Sequence, residues 1–149
     1  ESLQSSYLVR YYLLMLASGK VKKCYWHQLV APGYGLVNNL NGQIIKRDAY
    51  YCFKHMAVLL TGGKTKKLIR EKNLFCFIVE KDDTIIEAIW SRDKNASFKS
   101  NPDQKIFDMR GKLIDTKNSP VINITGEVIY LEKPKKGYQE FNLKKTSEV

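Results

Sequence analysis

The fold predicted from this sequence is decided by residues 21–30, which read Val-Lys-Lys-Cys-Tyr-Trp-His-Gln-Leu-Val. The stretch is rich in residues that favour β-structure, and Ala31-Pro32-Gly33 ends it, so it predicts one strand. Helical patterns lie on both sides of it, over residues 3–18 and 49–60. A strand flanked by helices is typical of parallel sheets and barrels, and one strand cannot form a sheet alone.

The two predicted helices have recognisable ends. Gly19 is a natural C-cap for the first helix, Asp48 is the predicted N-cap of the second, and Gly62-Gly63 stops it. The first helix is apolar nearly all round except at Arg10, and we expect neighbours to cover it on more than one side. Its apolar residues recur at three- and four-residue spacing on one face and continue on the others: Leu3, Tyr7, Tyr11, Leu14 and Met15, then Leu8, Val9, Tyr12, Leu13 and Leu16.

The linker between strand and second helix is predicted as a loop over residues 33–47 that contains a small hairpin. Leu36-Val37 and Gln43-Ile44-Ile45 flank a turn signal at residues 38–42, which includes Asn41-Gly42. Residues 1–63 therefore form one predicted unit, a helix, a strand, a long loop and a helix.

The second half predicts an antiparallel sandwich over residues 64–133, because short alternating runs recur there at roughly 8–12 residue spacing. A glycine at position 111 suits the left-handed position of a bulged hairpin turn. Residues 134–149 are polar and lysine-rich, and we expect a frayed basic tail. The predicted strands are residues 67–70, 74–80, 84–90, 97–99, 105–107, 112–114, 121–124 and 128–131.

Composition narrows the class of protein. The chain has 149 residues, 44% of them hydrophobic, which is enough for one packed domain and excludes wholesale disorder. No apolar run approaches the roughly 18–20 residues that span a bilayer. With 25 Lys and Arg against 15 Asp and Glu, the net charge of +10 raises nucleic acid as a partner. The basic residues are grouped with acids between them, however, so a solvated surface explains the charge as well.

The sequence contains no motif typical of metal binding, cofactor binding or a disulfide framework. Cys24, Cys52 and Cys76 are odd in number and widely spaced, and with His27 and His55 they complete no zinc motif. The cysteines lie among apolar residues and are predicted to be free, buried thiols, which favours a reducing compartment such as the cytoplasm without determining it. No metal site is predicted, because the zinc motif is incomplete. No cofactor is predicted either, because Gly33-Tyr34-Gly35 lacks the third glycine of a nucleotide-binding loop.

The candidate binding residues are Trp26, His27 and Gln28, near the end of the predicted strand. In a barrel the site is built at such strand ends, where an aromatic ring stacks on a sugar face while His and Gln bind hydroxyl groups. Strand alternation would put Trp26 and Gln28 on one face and Tyr25 and His27 on the other. The alternative is that Trp26 fills the core and the two polar residues satisfy backbone groups.

A run of motifs over about residues 5–132 resembles the end of clan A glycoside hydrolases, particularly those like family 39. Residues 7–14 with Ala17-Ser18-Gly19 resemble the last-but-one barrel helix, residues 24–29 the eighth strand, and residues 33–37 the loop after it. Residues 46–54 resemble the start of the eighth helix, with Asp48 where a proline is usual. The runs 75–79, 85–90, 108–112 and 128–131 resemble the β-sandwich that follows the barrel.

What the resemblance implies is the fold class α+β: a helix-strand-helix remnant of a (β/α)8 barrel, followed by an antiparallel β-sandwich. Those enzymes hydrolyse glycosides with retention, using two glutamates whose carboxyl groups lie roughly 5 Å apart. In the family these glutamates stand at the ends of strands four and seven, which would precede Glu1, so no catalytic residue is carried over. Trp26 matches the family's sugar-platform tryptophan, and His27 and Gln28 accompany it.

The sequence therefore predicts the C-terminal part of a bacterial-type glycoside hydrolase, inactive alone, whose partners are carbohydrate and the upstream barrel. Separated from that barrel, the chain is expected to self-associate. The alternative is a non-catalytic carbohydrate-binding or assembly module. Nucleic acid is the less favoured partner, because no aromatic signature of RNA binding is present.

Overall fold

A computed structural model describes residues 2–148. In this range the chain forms two α-helices and ten strands in three sheets. The elements in chain order are α1 (Ser2–Ser18), β1 (Val37–Leu40), β2 (Gln43–Lys46), α2 (Asp48–Leu60), β3 (Lys64–Glu71), β4 (Leu74–Lys81), β5 (Thr84–Ser91), β6 (Ala96–Lys99), β7 (Lys105–Phe107), β8 (Val121–Ile124), β9 (Ile129–Pro134), a 3₁₀ turn (Leu143–Lys145) and β10 (Ser147–Glu148).

A five-stranded antiparallel sheet, in the order β3-β4-β5-β9-β7, forms the middle layer. Successive side chains of a strand point to opposite faces, and in β4 both sets are apolar: Phe77 and Val79 on one face, Cys76 and Ile78 on the other. Both faces of the sheet are therefore buried, and the molecule has a hydrophobic core on each side of it.

The first core lies between this sheet and the helices. Leu8 and Leu13 from α1 and Met56 from α2 pack with Trp90 and Tyr130 of the sheet, and all five are buried. Phe75 stacks on its cross-strand partner Trp90 with ring centroids 5.2 Å apart. The helix layer and the sheet thus share one core.

The second core lies between the five-stranded sheet and a three-stranded sheet in the order β10-β6-β8. Ile89 and Leu131 of the middle layer meet Phe98, Ile122 and Ile124 of the outer sheet. These two sheets form the predicted antiparallel sandwich, and the α+β fold class is confirmed.

Several local predictions are confirmed. β1 and β2 form the small hairpin, with Leu40 opposite Gln43. Both residues of its turn have positive φ, Asn41 at 52° and Gly42 at 79°, as a type I′ turn requires. Gly111 has a φ of 92°, so the predicted left-handed glycine is also present.

The predicted strand over residues 21–30 is wrong. Residues 21–29 are irregular, and Val30 alone makes an isolated parallel bridge to Val37. A strand persists only where a neighbour pairs with its backbone along its length. Among the described residues, β1 meets only the end of this segment, through Val37, so the β-favouring sequence does not form a strand.

The C-terminal tail is ordered, against expectation. Leu143 is buried in the second core, and β10 pairs with β6. A lysine-rich segment packs here because its few apolar side chains, Tyr138, Phe141 and Leu143, face the sandwich while the lysines point outward. This division between inward apolar side chains and outward lysines continues through Lys145.

Two smaller predictions also fail. Arg47, not Asp48, occupies the N-cap position of α2, and no side chain caps that end. The Asp48 carboxylate is engaged elsewhere, by Ser5 and Arg110. Residues 112–114 make only one isolated bridge, from Leu113 to Phe107, because their neighbour β7 is a three-residue strand at the sheet edge.

Helix α1 has two apolar faces. Leu8, Val9 and Leu13 are buried against the sheet, whereas the periodic set Leu3, Tyr7, Tyr11 and Leu14 is exposed. We call these last four residues the α1 stripe. Neither α1 nor α2 is both long and apolar enough to cross a bilayer.

Candidate functional site

The segment that carries the predicted binding residues is irregular but anchored. The backbone N–H of Val37 donates to Leu29 O at 2.9 Å, and that of Leu36 donates to Gln28 O at 3.3 Å. The Gln4 side chain of α1 donates to the carbonyl of Tyr34. These bonds compensate for the missing strand partner and hold the segment against α1.

Trp26 turns toward the helix core. It is half-buried and packs beside Tyr11, whose ring centroid lies 6.0 Å away in an edge-on arrangement. The Tyr12 hydroxyl hydrogen-bonds the backbone of Trp26; burial, with Cys24 close by, raises the pKa of Tyr12 despite that bond. The indole Nε1 is buried, and no acceptor from residues 2–148 meets it.

His27 and Gln28 are exposed. The His27 ring stacks on Tyr34 with centroids 6.3 Å apart and an interplanar angle of 22°. The Gln28 amide donates to Val30 O at 2.7 Å, and the peptide bond between His27 and Gln28 is cis. The expected alternation fails because the segment is not a strand, and Trp26 and Gln28 do not share a face.

The structure thus keeps the three predicted residues adjacent but gives them different environments. Trp26 contributes mainly to packing, Gln28 satisfies a backbone carbonyl, and His27 with Tyr34 presents an exposed aromatic pair. A flat aromatic surface with polar edges is suited to the C–H face and hydroxyl groups of a sugar.

A charged cluster joins the two helices to the sandwich beside the first core. Arg110 binds Asp48 at the start of α2 and also Glu127 of the β8–β9 connection, with Nη1 to Oε2 at 3.0 Å. Ser5 and Ser2 of α1 donate to Asp48 and Glu127, each at 2.6 Å. We call these five residues the Arg110 cluster.

The Arg110 cluster holds both carboxylates in the ionised form. The hydrogen bonds from Arg110 lower the pKa of Glu127. Burial raises the pKa of Asp48, but the hydrogen bonds and charge of Arg110, with the Ser5 bond, lower it more, so the net shift is downward. The two carboxylates are anchored counter-ions of one guanidinium, an arrangement that favours structural attachment over proton transfer.

Sequence reasoning missed Arg47, Tyr34 and Arg110. Arg47 is buried and donates to Gly35 O at 3.0 Å, which holds the loop after the candidate residues. Tyr34 carries a usable signal, since an aromatic residue between two glycines is exposed at a loop tip. The sequence gives no signal for Arg110, because its partners Asp48 and Glu127 lie 62 and 17 positions away.

Across residues 2–148, no group of three or more His, Cys, Asp and Glu side chains comes together in a way that could hold a metal ion. Of the three free cysteines, Cys52 and Cys76 are buried and Cys24 is half-buried. Burial raises the pKa of Cys52 to about 12, so its thiol is protonated at neutral pH.

Comparison with known proteins gives a match at the level of structure alone. No protein-family model matches the sequence, and no curated protein does. The fold matches the structure of a family 39 glycoside hydrolase from the gut symbiont Bacteroides cellulosilyticus WH2, with a TM-score of 0.70 and 16% identity. The match covers 85% of this chain and 29% of that one. This chain therefore has the fold of a part, somewhat under one third, of a family 39 glycoside hydrolase.

Proposed function

We propose that this chain is the C-terminal part of a glycoside hydrolase, supplying the last elements of its barrel and an accessory β-sandwich. The observation that carries the proposal is the α1 stripe. In a soluble domain an amphipathic helix turns its apolar face inward, whereas α1 is apolar on both faces and exposes one of them.

The exposed apolar surface is large. Leu3 is 64% exposed and Tyr7 57%, and these residues follow one another along successive helical turns with Tyr11 and Leu14. Tyr25 and Leu29 of the irregular segment are exposed as well. Contiguous apolar patches of this kind mark contact with further protein, and a barrel that surrounds α1 would cover this one.

The irregular segment supports the same proposal. Residues 21–29 have a strand-like sequence, but among the described residues they meet a strand only at their end, where Leu29 O accepts from Val37 of β1. The buried indole nitrogen of Trp26 lacks an acceptor among the residues described. Buried donors in folded proteins nearly always have a partner. Additional barrel strands would supply both a backbone neighbour and new acceptors.

Lack of activity in the isolated chain is part of the proposal. A retaining glycosidase needs one carboxyl group with a raised pKa to act as the acid. Asp48 and Glu127 are two carboxylates that meet at one guanidinium, and their pKa values are both lowered. Arg110 bridges these groups, so neither is poised to donate a proton.

We assign Trp26, His27 and Gln28 to the sugar-binding edge of the complete enzyme. His27 stacks on Tyr34, and both rings are exposed and therefore accessible to a ligand. Trp26 is half-buried, so its contribution is to offer one edge of the ring and to support the segment.

The first experiment is to read the source DNA upstream of the codon for Glu1. An open frame of about 250 further residues, the size of a barrel, with glutamates at two strand ends would support the proposal. A stop codon directly upstream would overturn it. Alongside, the purified chain should release no product from aryl glycosides; hydrolysis that is lost in Trp26→Ala would show that the active site lies within this chain.

An assembly module is the second candidate, favoured by the same α1 stripe. A second copy could cover that surface as well as a barrel could. The two candidates differ in the complete protein, which should be monomeric if the barrel covers α1 and oligomeric if a second copy does.

A further inference from the structure

A groove open to solvent lies at the far end of the sandwich from the helices. Its volume is about 840 Å³, within the range of ligand-binding sites. One wall comes from the end of β6, at Lys99, and from the β6–β7 connection, including Asn101 and Gln104. The other wall is the segment 135–146, which we call the C-terminal wall.

The C-terminal wall is held in place by a buried carboxylate. Glu87 of β5 is fully buried, and its Oε1 accepts hydrogen bonds from the Tyr138 hydroxyl at 2.6 Å and the Phe141 N–H at 2.8 Å. Its Oε2 forms an ion pair with Lys133 at 2.6 Å. Phe141 also packs edge-on against Phe98 with ring centroids 4.8 Å apart, so the wall is anchored to both sheets of the sandwich.

The cations inside the groove differ in their partners. Lys133 forms an ion pair with Glu87. Glu140, an acid that lines the groove, forms an ion pair with Lys67, with Nζ to Oε2 at 2.5 Å. The remaining lysines, Lys99, Lys136 and Lys145, are exposed and form no ion pair with any carboxylate of residues 2–147. Against these three charges the groove has one uncommitted acid, Asp103.

We propose that this groove binds an acidic oligosaccharide, a sugar chain that carries carboxylate or sulfate groups. The three uncommitted lysines attract the anionic groups. Side-chain amides suit the hydroxyl groups, and the partly exposed rings of Tyr138 and Phe141 suit the sugar faces. The site is independent of the proposed enzymatic function, which concerns the opposite end of the molecule.

A sugar chain fits better than a nucleic acid for two reasons. Outside the groove, Lys66 and Lys135 both contact Glu80, at 3.0 and 2.6 Å, so part of the positive charge beside the groove is offset. The groove also contains no arginine, the residue that binds phosphate in two-point contacts and stacks on bases.

The test is calorimetric titration of the purified chain with galacturonic acid oligomers, their methyl esters, a chondroitin sulfate oligomer and single-stranded DNA. The groove variant is K99Q/K136Q/K145Q. The matched control, K54Q/K112Q/K117Q, removes the same charge at exposed lysines outside the groove. Circular dichroism melting verifies that both variants remain folded.

We expect an acidic oligomer to bind, its neutral ester to bind far less, and the groove variant to lose about tenfold or more in affinity. The control should lose less than about threefold, since distant exposed charges are screened. Binding of the sulfated oligomer alone would support the proposal and identify the anion. The proposal is overturned if neither acidic oligomer binds, if both triple variants lose affinity equally, or if DNA binds as tightly and is lost in the same way.

Discussion

Arg110 and Asp48 lie 62 positions apart in the chain and form a two-point ion pair, with Nε to Oδ1 at 2.6 Å and Nη2 to Oδ2 at 2.9 Å. The same guanidinium contacts Glu127, and two serines of α1 complete the cluster. One side chain of the sandwich thereby attaches the starts of both helices to the middle sheet.

Replacing Arg110 should weaken this attachment. In Arg110→Met the carboxylates of Asp48 and Glu127 lose their shared cation, and we expect the free energy of unfolding to fall by about 1–3 kcal/mol, as for other charge-assisted bonds at partly buried sites. Urea denaturation measures the change. Arg92→Met is the control, because Arg92 pairs only with the adjacent, exposed Asp93, and should cost less than about 0.5 kcal/mol. Equal losses would show that the cluster contributes nothing specific.

Mild acid should destabilise the protein through His55. Burial lowers the pKa of His55, although Asp108 acts in the opposite direction. Because the unfolded histidine titrates near pH 6.5, the unfolded state gains a proton before the folded state does, and stability falls as the pH drops below about 6.5. Denaturation midpoints between pH 7 and 5 report this slope.

The two histidines of the chain supply the control for that experiment. His55→Phe should flatten the slope, and His27→Asn, at an exposed position, is the comparison variant. If the slope survives in His55→Phe, the assignment to His55 is wrong.

Gly111 should tolerate no side chain. Its φ of 92° disfavours L-residues, and a Cβ would lie 2.5 Å from the His55 ring. We expect Gly111→Ala to cost roughly 2–4 kcal/mol from backbone strain and overpacking together. Gly62→Ala isolates the strain, since Gly62 has a φ of 80° and no atom near its Cβ position; it should cost about 1–2 kcal/mol. A loss no larger at Gly111 than at Gly62 would contradict the steric clash.

The buried Glu87–Lys133 pair should behave as a unit. Glu87→Gln retains an acceptor for Tyr138 and Phe141 but leaves Lys133 without its anion, so we expect a loss of about 3–5 kcal/mol and faster hydrogen exchange in residues 138–146. Adding Lys133→Met should recover most of the loss, because no buried charge then remains.

A more exposed pair between strands β7 and β9 provides the comparison for Glu87. Lys105 and Glu132 lie 3.8 Å apart, with side chains 68% and 30% exposed, so Glu132→Gln should cost less than about 0.5 kcal/mol. If Lys133→Met recovered nothing in the Glu87→Gln background, the ion pair would not be the cause of the loss.

The isolated chain should self-associate through the α1 stripe. Sedimentation equilibrium should show an average mass that rises with concentration, and Tyr7→Glu with Leu14→Glu should return it to the monomer value. Val121→Glu is the matched control, because Val121 is also exposed but belongs to the outer sheet. A constant monomeric mass for the native chain at high concentration would refute the prediction.

The elements predicted correctly are those whose signal is local. β4 and β5 are short runs of β-favouring residues that meet at a short turn, and α2 has its apolar residues at helical spacing. The orientation of α1 was not predictable in this way, because both of its faces are apolar. Of the two serines that lie inside, Ser5 donates to Asp48, a partner far away in sequence, and Ser6 donates to Ser2 O of its own helix.

The candidate site follows the same rule. Residues 26–28 were recognised from their composition, but their irregular path depends on the absence of a paired strand, which composition does not reveal. The stacking of His27 on Tyr34 and the buried anchor of Arg47 depend on how the loop closes on itself. Long-range pairs of this kind leave no periodic trace in a sequence.

The shared core on the helix side of the middle sheet has a consequence for modularity. Phe77, Val79 and Trp90 face the helices, so a sandwich cut free after residue 63 would present a bare aromatic and aliphatic surface to water. The segment that evolution or an engineer could transplant intact is therefore the sandwich together with α1 and α2. A graft of the sheets alone would expose this apolar surface in the protein that receives it.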